Sequence, residues 1–174
     1  MTGAVYNKDI EYTQTEPIEG AVDAMTTEQF VPYEMKTSIL QIVSYEYKNP
    51  CGYLENAYFE EKKYFSNLTQ MLFLIDELLD SLAYPQRGTV PRTLAPAPAR
   101  HVAVCEAAAG GTEKCLASFR LSVLFRQNAS WQGSIQWIEA KSASQFRSVL
   151  ELIQLLDSVL AQYDSHNPAA QEKI

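Results

Sequence analysis

The sequence predicts an α+β fold in which a β-hairpin–helix (ββα) unit occurs twice in tandem. The first observation is self-similarity. A shift of 81 residues lays Gly52 on Gly133, Phe65 on Phe146, and the ladder Leu68, Met71, Leu72, Ile75, Leu78, Leu79 on Val149, Leu152, Ile153, Leu156, Val159, Leu160. The second is a period of two: Phe119, Leu121, Val123 and Phe125 alternate with Arg120, Ser122, Leu124 and Arg126, as on a strand with one buried face. The third is a helix opening at the same place in each copy, Asn67-Leu-Thr-Gln70 and Ser148-Val-Leu-Glu151.

Taken in order, residues 1–36 form an acidic N-terminal arm carrying Glu16, Glu19, Asp23, Glu28 and Glu34, in which Thr26-Thr-Glu-Gln29 can open a short helix anchored by Phe30, Val31 and Tyr33. The first repeat, 37–82, holds strands at 39–47 and 53–59 around the turn Lys48-Asn-Pro-Cys-Gly52, then the helix. Residues 83–100 are a Pro/Arg linker: Pro85 and Gly88 stop the helix, later prolines favour extended chain, and Arg87, Arg92 and Arg100 are its only charges. That basic strap either ties down on the chain's own carboxylates or presents a binding segment. Residues 101–163 contain an extra strand at 101–106 and the second repeat. Its returning strand, 134–140, carries Ile135 and Trp137 on one face. In its capping box the Ser148 hydroxyl accepts from the N3 amide while Glu151 reaches back to the cap amide. The tail 164–174 frays. Two such units share a mainly antiparallel, four- to five-stranded sheet with both helices on one face, related by a pseudo-two-fold axis.

At 174 residues, 47% hydrophobic and 20% charged, the chain suits one compact, well-filled domain. No apolar run approaches the roughly 18 residues of a membrane span, and the start Met1-Thr-Gly-Ala-Val-Tyr6 lacks a basic and apolar leader, so the expectation is a cytoplasmic protein with no membrane contact. A net charge of −7 opposes direct nucleic-acid binding. Three cysteines do not make a secreted disulfide framework, although Cys105 and Cys115 lie symmetrically about Gly110 and would face each other in a hairpin.

Chemistry-bearing residues are sparse. His101 and His166 lack a partner at triad or metal spacing, and Gly110-Gly111 lacks the Lys and Ser/Thr of a phosphate loop. The expectation is therefore no catalytic residue, cofactor or metal, and no enzyme. The pair Asp76 and Asp157 flanks the two helix stripes; it either solvates the helices or converges near the axis as an acid/base pair in a pocket. Tyr45, Tyr47, Tyr53, Tyr58 and Phe59 put more aromatic surface on the first repeat than one buried face needs. Trp131, in the second hairpin connection, is either an exposed anchor or folds back beside Gly133.

Phe125-Arg-Gln-Asn-Ala-Ser-Trp-Gln-Gly133 and Phe146-Arg-Ser-Val-Leu-Glu-Leu-Ile153 resemble a group of small proteins of anaerobic gut bacteria of clostridial type, and the stretch from Tyr53-Leu-Glu-Asn-Ala-Tyr-Phe59 to Tyr84-Pro-Gln86 is similar to an allied segment. The resemblance covers about half the chain and implies no activity, cofactor or site residue. The expected function is a non-catalytic protein-interaction module of such a bacterium or its mobile elements, with Trp131, Tyr45, Tyr47, Tyr53, Tyr58 and Phe59 meeting a protein partner. Two alternatives stand beside it. One is an acidic phage or mobile-element inhibitor of the anti-CRISPR kind that blocks a basic nucleic-acid site; the other is a small-molecule sensor or enzyme with an axial pocket at Asp76 and Asp157. A homodimer is compatible with each.

Overall fold

A computed structural model describes residues 30–90, 92, 94 and 114–165. The expected strand at 101–106, the arm before residue 30, Arg100, Cys105, both histidines and the tail beyond residue 165 lie outside the described residues.

A 3-10 turn, Tyr33–Lys36, leads into β1 (Ser38–Glu46), followed by β2 (Asn49–Glu55), β3 (Lys63–Phe65), α1 (Leu68–Ser81), β4 (Ala117–Phe125), β5 (Gln132–Trp137), β6 (Ser142–Phe146), α2 (Val149–Leu160) and a 3-10 turn, Ala161–Tyr163. The strands form one six-stranded antiparallel sheet in the order β3-β2-β1-β4-β5-β6. The described residues hold six strands where four or five were expected, because β3 and β6 escape pattern reading. β3 has three residues, and β6 reads Ser-Ala-Ser-Gln-Phe with its first four residues exposed, so neither shows the alternation a half-buried strand imposes.

Directly paired residues share a face of an antiparallel sheet. One face therefore collects Leu40, Ile42, Leu54, Phe65, Ala117, Phe119, Leu121, Val123, Ile135 and Phe146, all buried. The same core takes Met71, Leu74, Ile75, Leu78 and Leu79 of α1 and Leu152, Leu156 and Leu160 of α2, which places both helices on this face. The other face carries Ile39, Tyr53, Tyr64 and Phe125 among mainly polar residues, and its residues are half-buried or exposed. At Gly133, which pairs with Phe146, a Cβ would drive into the Ser122 carbonyl oxygen and reach within 3.0 Å of Phe146 Cζ; at Gly52 it would drive into the Gln41 carbonyl oxygen. Only glycine lets the neighbouring strand approach this closely.

The first hairpin turns at Tyr47 and Lys48, with φ of 50° and 60°. Two left-handed central residues match the twist of the flanking strands. This shortens the turn expected over 48–52 and returns Asn49–Gly52 to β2. Pro50 is tolerated there because β3 pairs only with Gly52, Tyr53 and Leu54.

Each helix is capped as its sequence predicts, with one adjustment. Asn67 Oδ1 accepts the Gln70 amide at 2.8 Å and Ser148 Oγ accepts the Glu151 amide at 3.1 Å. The N3 side chains reach one residue further back than expected: Gln70 Oε1 accepts from the Ser66 amide and Glu151 Oε2 from the Arg147 amide. Helix α1 ends with Tyr84 N–H on the Leu79 carbonyl and Ala83 N–H on the Asp80 carbonyl, a paired C-terminal closure that puts Ala83 at φ 49°. No helix among the described residues is long and apolar enough to cross a membrane.

Candidate functional site

Two irregularities of the sheet decide where the polar chemistry sits. The β1–β2 register shifts between Ile42 and Ser44, and the β4–β5 register shifts between Val123 and Phe125. An extra residue at each point reverses the alternation beyond it. Past the first shift, Tyr45 pairs with Pro50 and turns toward the helices, where it is 5% exposed. Past the second, Phe125 turns outward and Arg126 inward, to 3% exposure. Continuing the Phe125–Gln132 register by one position sets Trp131 opposite Arg126.

Each inward-turned residue meets a helix carboxylate. Tyr45 Oη donates to Asp157 Oδ1 at 2.6 Å, and Lys48 Nζ lies 2.7 Å from both carboxylate oxygens. The Lys48 amide donates to Asp164 Oδ2 at 3.2 Å. Burial pushes the Tyr45 phenol well above its ordinary pKa, reinforced by its hydrogen bond to Asp157 and by the charges of Asp157 and Asp164. The Lys48 and Tyr45 hydrogen bonds hold Asp157 below the usual carboxylate range.

At the other cluster Arg126 Nη2 donates to Asp76 Oδ1 at 2.9 Å and Asp80 Oδ1 at 2.6 Å. Arg87 Nη2 donates to Asp76 Oδ2 at 2.8 Å and Asp80 Oδ2 at 2.9 Å. Burial alone would raise the Asp80 pKa, but the two guanidiniums hold it below its ordinary value. The same carboxylates raise Arg87 against its own desolvation. Gly88 N–H donates to the Arg126 carbonyl at 3.1 Å, fixing the chain after α1 along the end of β4. Two cavities flank the guanidiniums. One of about 330 Å³ is lined by Leu79, Asp80, Ala83, Pro85, Gln86, Arg87 and Arg126; one of about 150 Å³ is lined by Arg87, Thr89, Arg126, Ala129, Ser130 and Trp131. Two cations face two carboxylates, so the charges balance. Both clusters join a strand end to the helix that follows the other three strands: Tyr45 of β1 to α2, and Arg126, just past β4, to α1.

The expected site residues separate accordingly. Asp76 and Asp157 do not converge: their partners stand beyond opposite ends of the β1–β4 pair, where Ser38 faces Leu121 and Ile42 faces Ala117. The expected exposure of Tyr45 is corrected, and of the two readings of Trp131 the structure has the folded-back one. Tyr45 is buried on the helix side because the β1 bulge carries it inward, and Trp131 is 8% exposed, folded back beside Gly133 in line with the inward alternation of Gly133 and Ile135. The remaining aromatics are accessible. Tyr47 is 73% exposed, and Tyr58, also exposed, makes an edge contact with the half-buried Phe59 at 5.6 Å between centroids. Tyr53 lies edge-on to Tyr64 at 5.4 Å on the open face. Sequence reading missed Arg126, taken as an outward strand position; the signal that finds it is its place 81 residues after Tyr45. Arg87 ties down on carboxylates, one of the two roles expected for the linker arginines. Cys115 is exposed and unbridged among the described residues.

No family model matches the chain, and comparison with curated proteins and with solved structures finds no significant match.

Proposed function

We propose that this chain is a non-catalytic protein-interaction module that binds its partner through the open face of the sheet. The observation that carries the reading is the surface left uncovered by the helices. The Tyr64–Tyr53–Gln41–Ser118 row lies beside Glu55–Ile39–Arg120–Gln136, an aromatic and aliphatic centre within polar groups. Lys62 bridges Glu55 at 3.0 Å and donates to Gln41 Oε1 at 2.9 Å, fixing the rim. Tyrosines offer large contact area at low conformational cost together with a hydroxyl for hydrogen bonding, and they are enriched at interface centres.

The two halves are read as tandem copies about a pseudo-two-fold axis through the Ile39–Arg120 pair, each copy being three strands and a helix. Positions 81 apart support this. The turn residues Tyr47 and Lys48 match Asn128 and Ala129, all with positive φ. The bulges, Gly52 and Gly133, the caps Asn67 and Ser148, and Asp76 and Asp157 fall at equivalent places.

The test is affinity capture by the full chain and by a Tyr53→Lys/Tyr64→Lys variant whose unfolding transition matches the parent. A stoichiometric protein lost only with the variant supports the reading. Capture unaffected by the variant argues against it.

A further inference from the structure

The sheet has two edges, and they are treated differently. Edge strands are normally shielded by shortness, lysine or charge. β3 spans three residues, follows Glu60-Glu61-Lys62 and starts with Lys63. β6 carries no charge: it reads Ser-Ala-Ser-Gln-Phe, its first four residues are exposed, and no described strand pairs with its outer side.

The direction of its backbone groups follows from the neighbouring ladder. Ile138 N–H donates to the Ser118 carbonyl and the Ser118 amide to Glu139 Oε1, so the even-numbered positions of β5 address β4, while Gly133, Ile135 and Trp137 address β6. Their partners Phe146, Ser144 and Ser142 spend their backbone groups inside the sheet, and Ala143 and Gln145 aim N–H and C=O out of it. The next amide at each end is already taken, Lys141 by the Ile138 carbonyl at 3.2 Å and Arg147 by Glu151 Oε2 at 2.7 Å. The open ladder thus offers two N–H groups. Pairing this short is marginal in water unless the incoming strand brings further surface. A place for such surface lies alongside: Leu155 and Val159 of α2 face Ser142 and Ser144 across a trough of about 90 Å³ floored by Ile135 and Trp137, and both are only partly buried against the core.

We propose that this edge is an isologous dimer interface, in which β6 pairs antiparallel with β6 of a second copy about a two-fold axis at Ala143 and joins the two sheets into one. The backbone and the packing choose this occupant. The axis sets Ala143 against its counterpart, where the two exchange both hydrogen bonds, and Gln145 against Lys141, whose carbonyl takes the Gln145 amide. Both open N–H groups of each copy are then used, and neither engaged amide is needed. The contact is small at its centre, since Ser142 of one copy faces Ser144 of the other on the helix-covered side, within reach of a hydroxyl hydrogen bond. A two-fold perpendicular to the sheet also carries the second α2 to the same face, so the Leu155–Val159 flank of each trough meets its counterpart. Each end of β6 has one cation and one anion, Lys141 with Glu139 and Arg147 with Glu151, so net charge does not oppose the pairing. An axis at Ser144 is disfavoured because it sets Lys141 against Arg147. The inference does not rest on the open-face reading. It adds one consequence to it: both Tyr53–Tyr64 patches lie on one surface of the joined sheet, where a partner with two sites meets them together.

Sedimentation equilibrium of the full chain should show monomer giving way to dimer as concentration rises to about 1 mM, with amide shifts at Ser142–Phe146 and at Leu155 and Val159. Ala143→Lys, which puts like charges at the axis from an exposed position, should weaken association at least about tenfold. Its unfolding midpoint should match the parent's at a concentration where the parent is monomeric. Oxidation reads the register in chains carrying Cys51→Ala, Cys105→Ala and Cys115→Ala: a mixture of Ser142→Cys and Ser144→Cys chains should form an intermolecular disulfide that neither forms alone. A monomer at millimolar concentration, association unchanged by Ala143→Lys, or a disulfide formed by Ser144→Cys alone would overturn the proposal.

Discussion

Replacing Arg126 by methionine tests whether the bulge-directed cluster holds the two halves together. The variant loses two charge-assisted hydrogen bonds, at 2.9 Å to Asp76 and 2.6 Å to Asp80, each contributing about 1.5–3 kcal/mol. Two effects reduce that sum. The Asp80 side chain is 53% exposed, so its share is screened, and both carboxylates keep Arg87, so neither becomes an orphaned charge. Methionine also occupies the space of the arginine stem and spares the desolvation of a guanidinium that is 3% exposed. The expected net loss is about 1.5–3 kcal/mol, or roughly 4–10 °C in Tm for a chain of this length. Urea unfolding followed by circular dichroism and by tryptophan fluorescence measures it, with Trp131 lining the cavity beside Arg126 as a local reporter. Acid sharpens the test. Asp80 has a depressed pKa in the folded state, so its contribution is present above the unfolded value of about 3.9 and is lost as pH falls through the folded one. Parent and variant should therefore converge below about pH 4. An unchanged stability at neutral pH, or a gap that stays constant into acid, would refute the reasoning.

Three further outcomes follow from the geometry. Gly133→Ala should cost about 3 kcal/mol in urea unfolding, at the upper end of overpacking penalties, because the clash is with the Ser122 carbonyl and not with a movable side chain; a loss near zero would contradict the packing described. Ala83→Gly should stabilise by about 0.5–1 kcal/mol, since an L-residue bears a penalty in the left-handed region that glycine escapes, and a fall in Tm would show that the closure is not formed. Tyr45 has a raised folded pKa, so its contribution is complete below the unfolded value of about 10 and disappears as pH rises through the folded one. Ultraviolet titration should find one late-ionising tyrosine that Tyr45→Phe removes; an unchanged titration in that variant would contradict the assignment.

The elements carried by apolar periodicity were readable before the structure: the α1 and α2 stripes, the alternation of β4, and the caps at Asn67 and Ser148. What stayed hidden has a physical cause in each case. A bulge adds one residue without leaving a compositional mark, so Phe125 reads as buried and Arg126 as exposed when the reverse holds. The same cause hid the burial of Tyr45. β6 is an edge strand with exposed serines, and no hydrophobic pattern is imposed on such a segment. The Tyr47-Lys48 turn lacks the Asn-Gly usual for left-handed pairs, so the Asn-Pro-Cys-Gly segment drew the expected turn across the first four residues of β2. Asp76 and Asp157 were legible as carboxylates 81 positions apart, one on each helix. Their separation was not, because it depends on β1 and β4 running antiparallel at the centre of the sheet.

The most direct test of the interaction reading places a photocrosslinking amino acid at position 53, on the open face, and in a second protein at Gln154, on the exposed side of α2. Both are expressed at native level in the cell that makes the chain. The account predicts one protein crosslinked from position 53 in stoichiometric yield and none from position 154. Crosslinks from position 154 alone, or none from position 53 across growth conditions, would contradict it.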